Sequence, residues 1–206
     1  MPRERAEIFR KSKTDEKEKI IVLAYEGNNT EPIYFEELRS SEKFNNDLIY
    51  LHLLTRSKTD TKSAPNHVFD KLKKEAKDEY NFNKADELWM IIDKDRWKNI
   101  PDIIELCKKQ GNMHVAVSNP CFEFWILLHI KNFSEITTEE KTDLLTNRRI
   151  SNKKRYIDKY LGTLLEDGYN KAEPKPDRFL PTIEKAIEQG NLRVTSSRLF
   201  STLLFF

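Results

Sequence analysis

Three stretches of the chain end an apolar run on acids or polar groups. "KIIVLAYEG" delivers Glu26 with Gly27 behind it, and "ELWMIIDKDRW" delivers Asp93 and Asp95. "MHVAVSNPCFEF" delivers Ser118 and Asn119, and then Glu123. Asp93 and Asp95 stand at i and i+2, so they point the same way if the backbone stays extended. Carboxylates gathered in one place repel one another, and some take up protons unless a cation neutralises them. A hard divalent ion does this, and Mg²⁺ or Mn²⁺ prefers carboxylates together with water and phosphate oxygens. The set therefore predicts a metal site for phosphodiester chemistry. Taken singly the acids say less. Glu26 reads equally as the start of a turn, and "DKDR" reads as a solvated surface string. Glu123 differs, because an acid among Phe122, Phe124 and Trp125 must pair or coordinate something. An ion pair with Lys94 or Arg96 would also satisfy it.

For these side chains to meet, several strands must end on one side of a sheet. Residues 19–25 are apolar and β-branched after a charged leader, the signature of a strand. "NNTEP" follows, where Asn29 or Thr30 is placed to cap a helix running through about Leu38, with Glu31 and Pro32 in its first turn. "DLIYLHLLT" (47–55) reads as a second strand. After a polar loop, Asn66 is expected to cap a helix in which Val68, Leu72, Ala76 and Tyr80 recur at helical spacing. "ELWMII" has the continuous apolar character of a strand covered on both faces. "IPDIIELCKKQG" is a helix with Pro101 near its start and Gly111 as its stop. "MHVAVSN" is a fourth strand, and "PCFEFWILLHI" a buried helix with Pro120 at its first position. This alternation predicts an α/β fold with a mostly parallel central sheet flanked by helices, whose site forms outside the carboxyl ends of the strands.

The predicted organisation is a charged leader (1–18), an α/β core (19–132) and a mainly helical C-terminal portion (133–206) packed on the core. The last part contains "SEITTEEKTDLL", "SNKKRYIDKYLGTLL" and "RFLPTIEKAIEQG", joined by polar and proline-containing turns. The chain has 206 residues, which suits one domain with an appendage at ~100–200 residues per domain.

Composition excludes several classes. Charged residues make up 34% of the chain and mean hydropathy is −0.72, as in a heavily solvated protein. Cys107 and Cys121 form no CxxC pair, and the four histidines fit no zinc spacing. No stretch reaches the ~18 apolar residues of a membrane helix, and the leader lacks the apolar region of a signal peptide, so a cytoplasmic protein is expected. No GxGxxG or GxxxxGK[ST] follows a strand, so the phosphate cradle of a nucleotide-binding domain is missing. Net charge is only +2, and any nucleic-acid surface must be a local patch.

"YEGNNTEPIYFEEL", "IIDKDRW" and "SNPCFEFWILLH" resemble the signature stretches of RloB-like proteins, a family related to the AbiL-type abortive-infection component. The resemblance covers about residues 19–132, with looser agreement through "NKKRYIDKY". It implies a Toprim-like fold, shared with topoisomerases, primases and OLD-type nucleases of phage defence. The Toprim pattern of a glutamate after the first strand and a DxD after a later one falls on Glu26, Asp93 and Asp95. Further acids of the OLD-type pattern are nearest to Glu31 and Glu123, and a later lysine beside the phosphate is nearest to Lys159 or Lys154. The resemblance also implies an RloA-like AAA/ABC-type ATPase as partner in an anti-phage system. The final "NLRVTSSRLFSTLLFF" departs from the glycine- and valine-containing strand and amphipathic helix that the resemblance leads one to expect.

Together these readings predict a Mg²⁺- or Mn²⁺-dependent nuclease acting on DNA or RNA. Glu26, Glu31, Asp93, Asp95 and Glu123 are the expected metal ligands, and Glu26 is alternatively the general base. Glu26, Asp93, Asp95, Glu123 and Lys159 form the expected catalytic set, with Lys94, Arg96 and Lys154 on phosphate. The alternative is a non-catalytic nucleic-acid-sensing or ATPase-partner protein with a degenerate site. A topoisomerase would need a separate tyrosine-bearing module, for which the chain has no room.

Overall fold

The computed structural model describes residues 17–54, 64–79, 82–94, 97–152 and 154–191. The leader, apart from residues 17 and 18, and the apolar end of the chain lie outside the described residues, as do Asp95 and Arg96.

Four strands form one parallel sheet: β1 (Lys19–Tyr25), β2 (Ile49–Leu53), β3 (Glu87–Asp93) and β4 (Met113–Ser118). Their order is β2-β1-β3-β4. The register pairs Lys19 with Ile49, Tyr25 with Ile91 and Asp93 with Ser118. All seven residues of β1 are buried, as expected of a strand covered on both faces. Seven helices are described: α1 (Thr30–Ser40), α2 (Pro65–Glu79), α3 (Ile100–Lys108), α4 (Phe122–Ile130), α5 (Thr138–Thr146), α6 (Tyr156–Leu164) and α7 (Ile183–Asn191).

The period of two along a strand divides the core into two layers. Ile21, Leu23 and Tyr25 face Tyr34, Phe35 and Leu38 of α1, together with α4 and the helices that follow it. Ile20, Val22 and Ala24 face Val68, Phe69 and Leu72 of α2, and Ile100, Ile103 and Cys107 of α3. The chain thus leaves β1 toward one face and the neighbouring β3 toward the other. The two connections diverge at the carboxyl ends of β1 and β3, the topological switch point at which α/β sheets hold their ligands.

The first apolar layer continues through Leu144, Ile157, Leu161, Ile183 and Ala186, so the helices after residue 132 share the core of the sheet. A buried hydrogen-bond chain strengthens this junction. Trp125 Nε1 donates to the Tyr34 hydroxyl (3.0 Å), which lies 3.1 Å from His129 Nε2, while His129 Nδ1 lies 2.9 Å from the Phe179 carbonyl. The indole can only donate, so the tyrosine proton goes to Nε2 and Nδ1 carries the imidazole proton. Burial lowers the pKa of His129 to about 3, which keeps the ring neutral.

Several helix starts differ from the sequence reading. Asn29 is the N-cap of α1 but makes no side-chain cap bond, and Thr30 spends its hydroxyl elsewhere. Helix α2 begins at Pro65, so Asn66 lies inside it, and Asn66 Oδ1 accepts from Asn99 Nδ2 at 3.1 Å. The fixed φ of proline suits this first position. Pro120 does not open α4. It follows a cis Asn119–Pro120 peptide, and Cys121 is the N-cap.

Candidate carboxylate site

Glu26 directly follows β1, and its backbone N–H extends the ladder to the Ile91 carbonyl at 3.0 Å. Its carboxylate folds over the end of β3. Oε2 accepts from the Asp93 N–H (3.2 Å) and from Trp97 Nε1 (2.9 Å). The residue is 6% exposed, so these charge-assisted bonds hold it in one place. Gly27 then gives room to Glu31. Glu31 Oε1 accepts from the Gly27 N–H at 3.1 Å, and a Cβ at position 27 would overlap the Glu31 carboxylate. The helix returns Glu31, four residues on, beside the strand end that launched it.

Asp93 is the last residue of β3, and its Oδ1 is buried without a hydrogen-bond partner. Lys94 continues the sheet through its N–H to the Ser118 carbonyl (2.8 Å), with its side chain exposed. Glu123 stands in the first turn of α4, where the helix dipole favours an anion. It is 1% exposed. Its Oε1 meets the ammonium of Lys171 at 2.9 Å and the Thr30 hydroxyl at 3.3 Å, while Oε2 is buried with no partner. The one proton of the Thr30 hydroxyl is shared between Glu123 Oε1 and the nearer Lys171 carbonyl at 3.0 Å, fixing the loop that carries this lysine.

The acids feel one another. Burial, and then the charge of Glu123, pushes the Glu31 pKa up to about 7. Burial, followed by the charges of Glu31, Glu123 and Glu26, raises the Asp93 carboxyl well above the usual carboxylate range against the pull of Lys171. The structure thus brings Glu26, Glu31, Asp93 and Glu123 into one electrostatic cluster at the carboxyl end of the sheet.

The amino end of the sheet shows what satisfied acids look like, with Asp86 buried and Glu87 half-buried. Asp86 accepts from the Ile20 N–H and the Asn83 N–H, each at 2.7 Å. Glu87 accepts from Lys19 Nζ (2.9 Å) and Trp89 Nε1 (2.8 Å), one donor per oxygen. Burial pushes the Glu87 carboxyl up, but those two bonds bring it below the usual range. Buried acids kept for structure are paired in this way. The orphaned oxygens of Asp93, Glu123 and, on α6, Asp158 are the exceptions, and leaving each unmade costs about 1–3 kcal/mol or more. Among the described residues no three His, Cys, Asp or Glu side chains are gathered closely enough to hold a metal ion. The donors present are all hard oxygens, suited to Mg²⁺ or Mn²⁺ rather than to a soft-metal centre.

Lys154 and Lys159 are exposed, and neither pairs with these acids among the described residues. The ammonium that reaches the cluster belongs to Lys171, in the loop between α6 and α7. Three further groups escape sequence reasoning. Trp97, which carried no role in the sequence, is the donor to Glu26. Asp158 on α6 is 8% exposed, accepts from the Arg155 N–H with Oδ2 (2.8 Å) and leaves Oδ1 buried and unpartnered. Burial, and among the nearby charges that of Glu123, raises its carboxyl above the usual range. The hydroxyl of Tyr169, in the loop between α6 and α7, is also buried. Burial and then Glu123 push it upward. The one signal available for Asp158 was the capping spacing from Arg155.

No helix among the described residues is long and apolar enough to cross a membrane. No curated protein and no solved structure matches the chain. The family model described as RloB-like protein matches residues 21–198, from the third residue of β1 to beyond α7. The match takes in all four strand ends and the lysine loop as well as the three stretches that first suggested it, and the chain belongs to the RloB-like protein family.

Proposed function

We propose that the chain is a metal-dependent nuclease-type effector of an anti-phage, abortive-infection system, hydrolysing nucleic-acid phosphodiester bonds at a Toprim-type carboxylate site. One observation carries the reading. Asp93 Oδ1 and Glu123 Oε2 are buried and unpartnered within a cluster of four acids, whereas the acids at the other end of the sheet are fully bonded. A divalent cation relieves both the repulsion and the orphaned oxygens.

Asp93 and Glu123 would hold the ion, with Glu31 and Asp95 completing the oxygen set. A bound Mg²⁺ or Mn²⁺ would polarise a phosphoryl oxygen and lower the pKa of its bound water. Glu26 serves the site through position. Its two hydrogen bonds lock the end of β3, so the Asp93 carboxylate is presented from a fixed backbone. Lys171 supplies the positive charge that lets Glu123 stay buried, and it is open enough to meet a phosphate. Its side chain is 53% exposed.

The Lys171–Glu123 ion pair also favours a second reading. A site that already holds an internal cation suits a non-catalytic nucleic-acid sensor or a partner of an RloA-like AAA/ABC-type ATPase.

The test is direct. Pure protein, alone and with the neighbouring ATPase, is incubated with DNA and RNA plus Mg²⁺ or Mn²⁺, alongside Glu26→Gln and Asp93→Ala. The nuclease reading expects cutting by the wild type that both variants lose. No cutting in any combination, or cutting that survives both substitutions, sinks it.

A further inference from the structure

The segment from Arg148 to Tyr160 holds six basic residues, Arg148, Arg149, Lys153, Lys154, Arg155 and Lys159, against one acid, Asp158. The whole chain carries a net charge of only +2, so this is a strong local concentration. Arg148, Arg149, Lys154 and Lys159 are exposed. Among the described residues no salt bridge takes up Arg149 or Lys154.

The segment is a built arm. Arg149 and Arg155 form an antiparallel bridge, and the Ile150 and Ser151 N–H groups both donate to the Lys154 carbonyl at 3.0 Å. The Tyr156 N–H donates to the Arg148 carbonyl at 3.0 Å. Asn147 ties the two feet together. It is buried in a left-handed conformation (φ 41°), its Oδ1 accepts from the Ile157 N–H (3.2 Å), and its carbonyl accepts from Arg155 Nη1 (3.4 Å). Its Nδ2 donates to Cys121 Sγ at 3.4 Å. Cys121 caps the helix that carries Glu123, and the arm runs straight into the helix that carries Asp158. A cationic arm is thus mounted on the same two helix starts that present buried acids to the site.

Exposed cations kept together by a rigid turn repel one another, and a polyanion is the partner that rewards the arrangement. We infer that the arm formed by residues 148–152, 154 and 155 is a nucleic-acid docking surface that grips the phosphate backbone and lays the strand toward the carboxylate cluster. Arg149 and Lys154 contact phosphates, and sequence is not read there. The inference builds on the proposed nuclease reading, but it concerns binding and is testable without cutting.

Full-length protein in EDTA is titrated with labelled single-stranded and duplex DNA and RNA of one sequence, across a range of salt. Arg149→Glu with Lys154→Glu is expected to weaken binding at least about tenfold and to lower the salt slope by about two, one per lost phosphate contact. The milder Arg149→Gln with Lys154→Gln gives a smaller loss in the same direction. Lys108→Glu with Lys109→Glu on α3 makes the same change in net charge and leaves affinity unchanged. Wild-type binding in EDTA with no cutting once Mg²⁺ or Mn²⁺ is restored would sink the nuclease reading and spare the arm. Equal losses at the arm and at α3, or no loss at the arm, overturn the inference. So does a wild type that binds no nucleic acid while the arm reversal abolishes capture of the ATPase, which would make the arm a protein-docking surface.

Discussion

The Lys171 ammonium lies 2.9 Å from Glu123 Oε1, while the second oxygen of that carboxylate is buried with no partner. One lysine therefore satisfies half of a buried acid within a cluster of four. Its own pKa is raised: burial pulls it down, but the nearby charge of Glu123 more than compensates. Removing this charge leaves Glu123 buried and uncompensated.

Lys171→Met is accordingly expected to destabilise the metal-free protein by about 1–3 kcal/mol, the lower part of the buried-pair range because the lysine is half exposed. Urea denaturation in EDTA measures it. Saturating Mg²⁺ should return much of the loss. Identical midpoints for wild type and variant would show that the pair contributes nothing.

Gly27→Ala probes the cradle around Glu31. The added methyl group overlaps the Glu31 carboxylate, so that side chain must leave its bond to the Gly27 N–H. Mn²⁺ affinity by calorimetry should fall about 10–100-fold, as when a group that orients a ligand is lost. An unchanged affinity would remove Glu31 from the metal set.

The strand ends were legible because parallel strands buried on both faces read as continuous apolar runs, and an acid closing such a run stands out. Glu26 and Asp93 stood out on that signal, and Glu123 as an acid among the aromatics of an apolar helix. Lys171 was not, because "GYNKAEPKP" has no periodicity and its lysines look alike. Asp158 reads as an ordinary polar position of a helix start, and only the packing of α6 against the core reveals that it is buried. Proline also misled at two helix starts. Pro65 opens α2 where Asn66 was expected to cap it, whereas Pro120 belongs to the turn before α4. The fold class depended on the order of elements, which survives such local errors.

Stability should depend on pH in a direction set by Glu31. In the folded chain Glu31 keeps its proton up to about pH 7, against an ordinary value of 4.5. The folded state binds more protons in that window, so Glu31 makes the metal-free protein less stable as pH rises through it, by on the order of 1–3 kcal/mol. His129 acts oppositely, because its folded pKa of about 3 costs stability as pH falls below 6.5. Comparison with Glu31→Gln isolates the carboxyl. Melting in EDTA from pH 5 to 8 should show wild type losing stability relative to the variant as pH rises, and parallel curves would refute the assignment.

Trp97 tests whether Glu26 works by being held. Its Nε1 donates to Glu26 Oε2 at 2.9 Å, beside the donor from the Asp93 backbone. Trp97→Phe keeps an aromatic ring packed against the second core layer but removes the donor. A hydrogen bond to a charged group contributes about 1.5–3 kcal/mol, so a stability loss of that order is expected in urea. The more telling readout is nuclease activity at saturating metal. On the proposed reading, if Glu26 fixes the end of β3, the loss appears in kcat with little change in metal affinity, because the proposed ligands Asp93 and Glu123 are untouched. If Glu26 is itself a ligand, freeing its carboxylate changes metal affinity instead, and calorimetry with Mn²⁺ separates the two.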